Sequence, residues 1–439
     1  MWHNKEKTTE ARTPLPPQAP MTSRTPTPAR AEAVGSAPEP VGSLQNHYHN
    51  LCMEKFQKIN PFLLHTLQGV DEEIKKGLTG ITLNIAGNSH SVPVERVTGE
   101  HFWILSKILE KNLSINGLDV RYNLISDVGA YYAARLLQKQ HSLIYLNLMF
   151  NDIGPKGGEL IAKALHKNTT LKYLRMTGNK VENEGGMFFA AMLQINLSLE
   201  KLDLGDCDLG MQSVIAFSTA LTQNQTIKGI NLNRPILYGE QARKSGLDPV
   251  GKLHLGDRKM SKNVVPTLKA SPCSLTSSNK ITRDGIISLA DVLKSNTTLE
   301  VIDLSFNRIE NVGAQKLSET LASHNRSLKA LSVVSNSIEG EGLVALSQSM
   351  KTNTTLSNIY IWGNKFDEAT CVAYSDLIQT GRLKPDNTDV EPYVVDGHAY
   401  LAEVSNGLKK YYYWTPTYGD ACSLSSNAGF SIVPVGKQL

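Results

Sequence analysis

The chain's 439 residues are 41% hydrophobic and 20% charged, which is enough apolar material for a sizeable core and too little charge for a wholly disordered protein. A net charge of +4, from 45 basic against 41 acidic residues, gives no case for binding a phosphate backbone, so nucleic acid is not the expected partner. Cys52, Cys207, Cys273, Cys371 and Cys422 are odd in number and scattered without a C-x-x-C pair, which excludes a disulfide framework or thiolate zinc site and fits a reducing compartment.

Residues 1–43 are rich in Pro, Thr and Ser and read as a disordered tail, with Thr-Pro steps and a PxxP match at Pro14 to Pro17. The opening Met1-Trp2-His3-Asn4-Lys5 lacks the apolar core of a secretory signal, and no run of about 18 apolar residues follows, so an intracellular chain that does not span a membrane is expected. Over 44–76, Leu51, Phe56, Ile59, Leu63, Leu64 and Leu67 recur at helical spacing around Pro61 and predict a helical cap.

From there one pattern returns, L-x-x-L-x-L-x-x-N-x-I, with first anchors at Ile115, Leu143, Leu171, Leu199 and Ile227, then Leu299, Leu328 and Leu356. The steps are 28 residues in the first set, then 29 and 28. A period held this tightly marks a repeat array, each unit a short strand, an Asn turn and a helix. The Asn recurs as Asn123, Asn151, Asn179, Asn307, Asn336 and Asn364, with Cys207 standing in once. Its side-chain amide suits backbone groups of the neighbouring turn. Gly129, Gly157 and Gly313 are expected just ahead of the helical runs. One unit has too few apolar anchors to offset the ordering of its chain, so stacking is obligatory.

This period, with a full helix per unit, resembles the ribonuclease-inhibitor type of leucine-rich repeat over about residues 77 to 380. The resemblance implies an α/β leucine-rich-repeat solenoid, a horseshoe with parallel inner strands and outer helices. With the tail GHAYLAEVSNGLKKYYYW, the repeats resemble one animal branch of that family. That further implies a non-enzymatic intracellular protein of cytoplasm and nucleus, the nucleolus included, with a part in cell differentiation. Other branches stimulate a GTPase or inhibit a ribonuclease, and both readings stand as alternatives.

The repeats fall into a block at 77–239 and a second at 279–384. Ile227 and Leu299 are 72 residues apart, two periods plus 16, and counting back 28 from Leu299 reaches Ser271, where SPCSLTSS stands in place of a strand. Residues 240–278 therefore read as an irregular insert with a degraded repeat, and 240–280 carry eight Lys/Arg against three Asp/Glu. In 385–439, Asp396-Gly397 between alternating segments predicts a tight hairpin that caps the array, followed by the aromatic run Tyr411 to Trp414.

Seven N-x-S/T sequons, at Asn112, Asn168, Asn196, Asn224, Asn296, Asn325 and Asn353, all sit three residues before a first anchor. That regularity speaks for structure rather than glycosylation, with Asn expected in the left-handed conformation that ends a helix. His141, His166 and His324 recur at helix C-termini, where a cation is favoured. No nucleotide, metalloprotease, hydrolase or kinase motif occurs, and neither His47 with His49 nor Asp206-Cys207-Asp208 has the further ligands a metal needs. No cofactor, metal, catalytic residue or small-molecule substrate is expected.

What the pattern does locate is a face. With repeat positions four and six buried, positions three, five and seven point to the inner wall. Tyr145, Met149, Tyr173 and Arg175 then form one aromatic and cationic zone, Tyr360 and Trp362 another, and Asp203 and Asp303 supply charge. Tyr, Trp and Arg dominate binding hot spots, so these eight are the candidate residues for a protein partner. Stacking of Tyr145 on Tyr173 purely for strand stability is the competing role. The mixture of Arg121, Arg175 and Lys201 with Asp119, Asp203 and Asp303 argues against inhibition of a basic ribonuclease.

Overall fold

The computed structural model describes residues 43–88, 94–233, 281–404 and a short strand at 431–432. The tail 1–43 except Ser43, the whole 240–278 insert and the aromatic run after 404 lie outside the described residues.

Two helices open the described chain, α1 (Leu44–Glu54) and α2 (Pro61–Lys75). Pro61 does not break a helix; it opens α2 in the first turn, where its missing N–H costs nothing, and Asn60 caps it by accepting from Leu63 N at 3.1 Å. Asp71 of α2 caps α1 in turn, accepting from Leu44 N and Gln45 N at 2.8 and 2.9 Å.

Strand and helix then alternate: β1 (Ile81–Asn84), α3 (Gly99–Leu109), β2 (Ile115–Asp119), α4 (Asp127–Lys139), β3 (Tyr145–Asn147), α5 (Pro155–Leu165), β4 (Tyr173–Arg175), α6 (Glu182–Leu193), β5 (Lys201–Asp203), α7 (Met211–Leu221) and β6 (Gly229–Asn231). After the undescribed stretch come α8 (Arg283–Leu293), β7 (Val301–Asp303), α9 (Glu310–Ser323), β8 (Ala330–Ser332), α10 (Gly340–Thr352), β9 (Asn358–Tyr360) and α11 (Glu368–Gln379). Among the described residues β1 to β9 form one parallel sheet in chain order, and β12 (Ser431–Ile432) adds to β1 antiparallel. From β2 onward each strand is in register with the next, so that Tyr145, Tyr173, Lys201 and Gly229 lie in one row and Asn147, Arg175, Asp203 and Asn231 in another. The motif leucines and their partners are fully buried between this sheet and the helices.

The recurrent Asn does what its chemistry suggests. Asn151 donates from Nδ2 to Val120 O of the preceding unit and Leu148 O of its own, both at 3.0 Å, while Oδ1 accepts from Ile125 N at 3.1 Å. Asn123, Asn179, Asn307, Asn336 and Asn364 make the same inter-unit bond. Cys207 keeps the inter-unit bond in weaker form, its thiol donating to Met176 O at 3.3 Å. The residue before the Asn is left-handed in every one of these units: Tyr122, Phe150, Asp206, Phe306 and Ser335 have φ between 48° and 58°, and Gly178 and Gly363 take the same place. A conformation that costs a non-glycine roughly 1 to 2 kcal/mol is tolerated because it turns the chain while the ladder continues, with Phe150 N still bonded to Thr177 O at 2.8 Å.

The sequon asparagines form a second ladder at the opposite end of the strands. Asn196 donates to Leu165 O at 2.7 Å and Asn168 O at 3.0 Å, and accepts from Ser198 N and Leu199 N. All seven are buried, and none has positive φ, so the left-handed expectation is corrected: in the six from Asn168 onward the amide bonds a carbonyl of the preceding unit, while Asn112 accepts from Ser114 N and Ile115 N in its own. Gln140 fills this place in the unit of β3, and Arg382 fills it after α11. The glycines are also corrected. Gly157 lies inside the first turn of α5, where a Cβ would meet Ile153 at 2.6 Å and Ala130 at 2.8 Å, so it permits close approach of neighbouring helices.

The largest correction concerns the middle of the chain. β6 pairs directly with β7, Ile230 opposite Ile302, and Asn307 donates to Leu232 O at 3.1 Å as its counterparts do one unit back. Ile281 N bonds Asn307 Oδ1 at 3.3 Å, as Ile125 N bonds Asn151. β6 and α8 are therefore the strand and helix of one repeat, and the stretch between them, outside the described residues, is inserted within that unit. Among the described residues no extra strand enters the sheet between β6 and β7, and the two blocks are one array.

At the far end β10 (Val390–Val395) and β11 (His398–Glu403) form the predicted hairpin, with Asp396 and Gly397 both at positive φ as a primed two-residue turn requires. Just before it, Asp389 accepts from Ile361 N and Trp362 N at 2.8 and 3.0 Å, closing the edge that a further strand would have paired.

Removing the amide leaves Ile125 N without its acceptor and takes one of two side-chain donors from each of Val120 O and Leu148 O, so Asn151→Ala is expected to cost about 3 kcal/mol, and Cys207→Ala about 1 kcal/mol, in urea unfolding of the full chain. Equal losses for the two would deny the asparagines their role.

Candidate functional site

The strand face has two layers. From β2 onward position five, the last residue of each strand, is buried in every unit but that of β4, where Arg175 keeps some exposure: Asp119, Asn147, Asp203, Asn231, Asp303, Ser332 and Tyr360 are all 6% exposed or less. Their side chains turn back on the strand end. Asp203 Oδ1 accepts from Gly205 N at 3.2 Å, and Asp303 Oδ1 from Ser305 N at 3.0 Å. They also link across the sheet, with Asn147 donating to Asp119 at 3.1 Å, Asn231 to Asp203 at 2.9 Å, and Asn233 to Asp303 at 2.8 Å. Asp203 and Asp303, expected as partner contacts, are instead turn-holding carboxylates with almost no exposed surface.

Tyr145 is likewise 1% exposed. Burial, then the Asp119 carboxylate, push its phenol up to about 12 against the pull of Arg175 and Arg121. Tyr360 is 2% exposed, with Asn358 donating to its hydroxyl at 3.3 Å. These two of the expected aromatic contacts belong to the packed layer.

The outer layer is smaller and differently charged. Tyr173 is partly exposed, and Lys201 in register on the next strand holds its ammonium 4.8 Å from the ring centre. Burial lowers the Lys201 pKa to about 8. Beside them Arg175 is 11% exposed and bonds Asp203 at 3.3 Å, Arg121 is 17% exposed, and Met149 is partly exposed. At the inner-face strand positions, then, the cations Arg121, Arg175 and Lys201 keep exposure, whereas Asp119, Asp203 and Asp303 do not.

Two features were missed from the sequence. Lys201 was assigned to the face but not to the site, because a cation over a ring is legible only once the register is known. Tyr122 and Phe150 stack with ring centres 4.6 Å apart and planes within 6°, along the rim where the strands end. They occupy the left-handed position, which the alternation rule does not treat as a surface position. Gly178 is required there, since a Cβ would lie 2.4 Å from the Phe150 ring. At the C-terminal end Trp362 is partly exposed and meets Phe366 edge to face at 5.7 Å. The two zones remain separated by the intervening strands β6 to β8.

Among the described residues no group of three or more His, Cys, Asp or Glu is placed to hold a metal, and no helix is long and apolar enough to cross a membrane. The sequon amides, all buried and from Asn168 onward bonded to carbonyls, present no acceptor for a glycan in the folded chain.

Asp303 gives this layer a pH signature. Desolvation, opposed by the Ser305 and Asn233 hydrogen bonds and assisted by Asp203, raises its pKa to about 6. Because the folded value lies above the unfolded one, its contribution is fully present at low pH and is lost as pH rises through about 6. Asp303→Asn is expected to stabilise the protein by on the order of 2 kcal/mol near pH 7.5, with the gain shrinking towards pH 4, in thermal unfolding followed against pH. A gain independent of pH would contradict this.

The family model described as Leucine Rich repeat matches residues 139–162, 167–190, 196–218, 295–318 and 324–347. The chain is 66% identical over 425 residues to Leucine-rich repeat-containing protein 34 of Mus musculus, covering 90% of this chain and 99% of that protein. It is 71% identical over 428 residues to the Homo sapiens protein of that name, covering 91% and 89%, and 65% identical to that of Rattus norvegicus, covering 90% and 99%. With identity at this level along nearly the whole of each relative, and with the repeat ladder in place, the chain belongs to the leucine-rich repeat family of protein 34.

Proposed function

We propose that this protein is a non-enzymatic scaffold that captures a protein partner on the strand face of its array. The observation that carries the reading is the Tyr173–Lys201 pair, an aromatic ring and a cation held together on adjacent strands, partly exposed and flanked by Arg175 and Met149. A repeat family of interaction modules supports it, as does a face whose exposed charge is cationic. The partner surface that fits is acidic with an apolar anchor. A basic ribonuclease does not fit such a face. The reading includes a part in cell differentiation and residence in cytoplasm and nucleus, nucleolus included; the family resemblance supports these, and imaging of the tagged protein through differentiation tests them.

Tyr173→Ala and Trp362→Ala are each expected to weaken capture of the partner from cell extract by roughly tenfold, the loss of one hot-spot side chain, with the circular-dichroism spectrum unchanged. Capture equal to that of the unmodified chain by both variants would remove the strand face as the site.

A further inference from the structure

The helix side of the array carries a second, independent feature. A trough of about 240 Å³ lies between α3 and α4, lined by Trp103, Lys107, Glu110, Tyr131, Tyr132, Arg135 and their neighbours. Its aromatic floor is built: Trp103 and Tyr132 have ring centres 6.3 Å apart, and Tyr131 meets Tyr132 edge-on at 5.2 Å. Arg135 lies with its guanidinium 5.8 Å from the Tyr131 ring centre and donates to the Tyr131 hydroxyl at 3.1 Å. Among the described residues no carboxylate lies within ion-pair distance of the guanidinium, and Glu110 acts on it only through space. Lys107 and Lys139 both pair with Glu110, so the lining holds three cations against one carboxylate. Tyr131, 41% exposed, is one of the large apolar side chains that the helices leave to solvent.

We propose that this trough docks an acidic peptide segment of a protein partner, an apolar side chain entering among Trp103, Tyr131 and Tyr132 and a carboxylate pairing with Arg135. The volume falls below the roughly 300 to 1,000 Å³ of cofactor-sized sites, so the trough takes one anchor side chain of a larger molecule. Charge complementarity selects an acidic segment: the lining's net charge is positive, and the exposed Arg135 uses one donor on the Tyr131 hydroxyl. A continuous phosphate backbone fits less well, because Glu110, fixed between its two lysines, would face it; discrete carboxylates on a peptide avoid that position. Trp, Tyr and Arg together are the composition of a binding hot spot.

The test is fluorescence anisotropy with the full chain and a labelled hexapeptide, EEFDEL. Saturable binding is expected, weakened about tenfold by Arg135→Glu and by Tyr131→Ala, and weakened as salt rises from about 50 to about 300 mM. Both side chains are exposed on α4, and circular dichroism checks that each variant folds. Tyr173→Ala is expected to leave this binding unchanged, which separates it from the strand-face reading. No saturable binding, binding indifferent to Arg135→Glu and Tyr131→Ala, equal binding of the reversed-charge peptide KKFKKL, loss on Tyr173→Ala, or displacement by a single-stranded hexanucleotide would each overturn the proposal.

Discussion

Every unit of this protein leaves backbone groups open that only the next unit can close. A strand of three residues cannot satisfy its own edges, and a turn that passes through a left-handed residue exposes further carbonyls where it leaves the sheet. The two asparagine ladders answer this at opposite ends of the strands, one at the turn into the helix and one at the return from it. Because an amide carries both donor and acceptor, a single side chain serves two units at once. Where the array stops, other residues take over the same groups: Asp389 accepts the N–H groups of the last strand, and Arg382 donates to carbonyls of the last turn.

That constraint decides what is left for recognition. The strand-end position is claimed by turn-holding side chains that also bond across the sheet, so the carboxylates of the inner face are withdrawn from solvent and the cations beside them are not. The resulting face is selective by subtraction: its acidic groups serve the fold, and its exposed groups include Tyr173, Lys201, Arg175, Met149, Arg121 and Trp362. The helix side is governed by different rules, since only close packing at Gly157 and its equivalents is demanded there, and α3 and α4 leave Trp103, Tyr131 and Arg135 facing outward.

Most of the architecture was legible in the sequence because leucine at fixed spacing reports burial directly. The strand registers, the Asn turn and the Asp396-Gly397 hairpin follow from that spacing and from turn chemistry. The site was less legible. Alternation places Tyr145 and Tyr173 on the same face, and nothing in the chain separates a tyrosine that is 1% exposed from one left partly open, because the difference lies in neighbours brought from other units. The interrupted repeat is hidden for a related reason: spacing runs along the chain, whereas the sheet joins Ile230 to Ile302 without regard to what lies between β6 and α8. The sequon asparagines had the right position and the wrong cause, since a buried amide between two units leaves the same mark on a sequence as a left-handed cap.

One uninterrupted ladder runs from β2 to β9, with β6 and α8 as halves of a single repeat, so that the strand face is continuous. In hydrogen–deuterium exchange on the full chain, the amides of Leu232 and Leu304, whose carbonyl partners lie across the β6–β7 and β7–β8 seams, are expected to exchange as slowly as that of Leu148 within the first set of units. Rapid exchange at Leu232 beside slow exchange at Leu148 would mean two separate blocks and would contradict it.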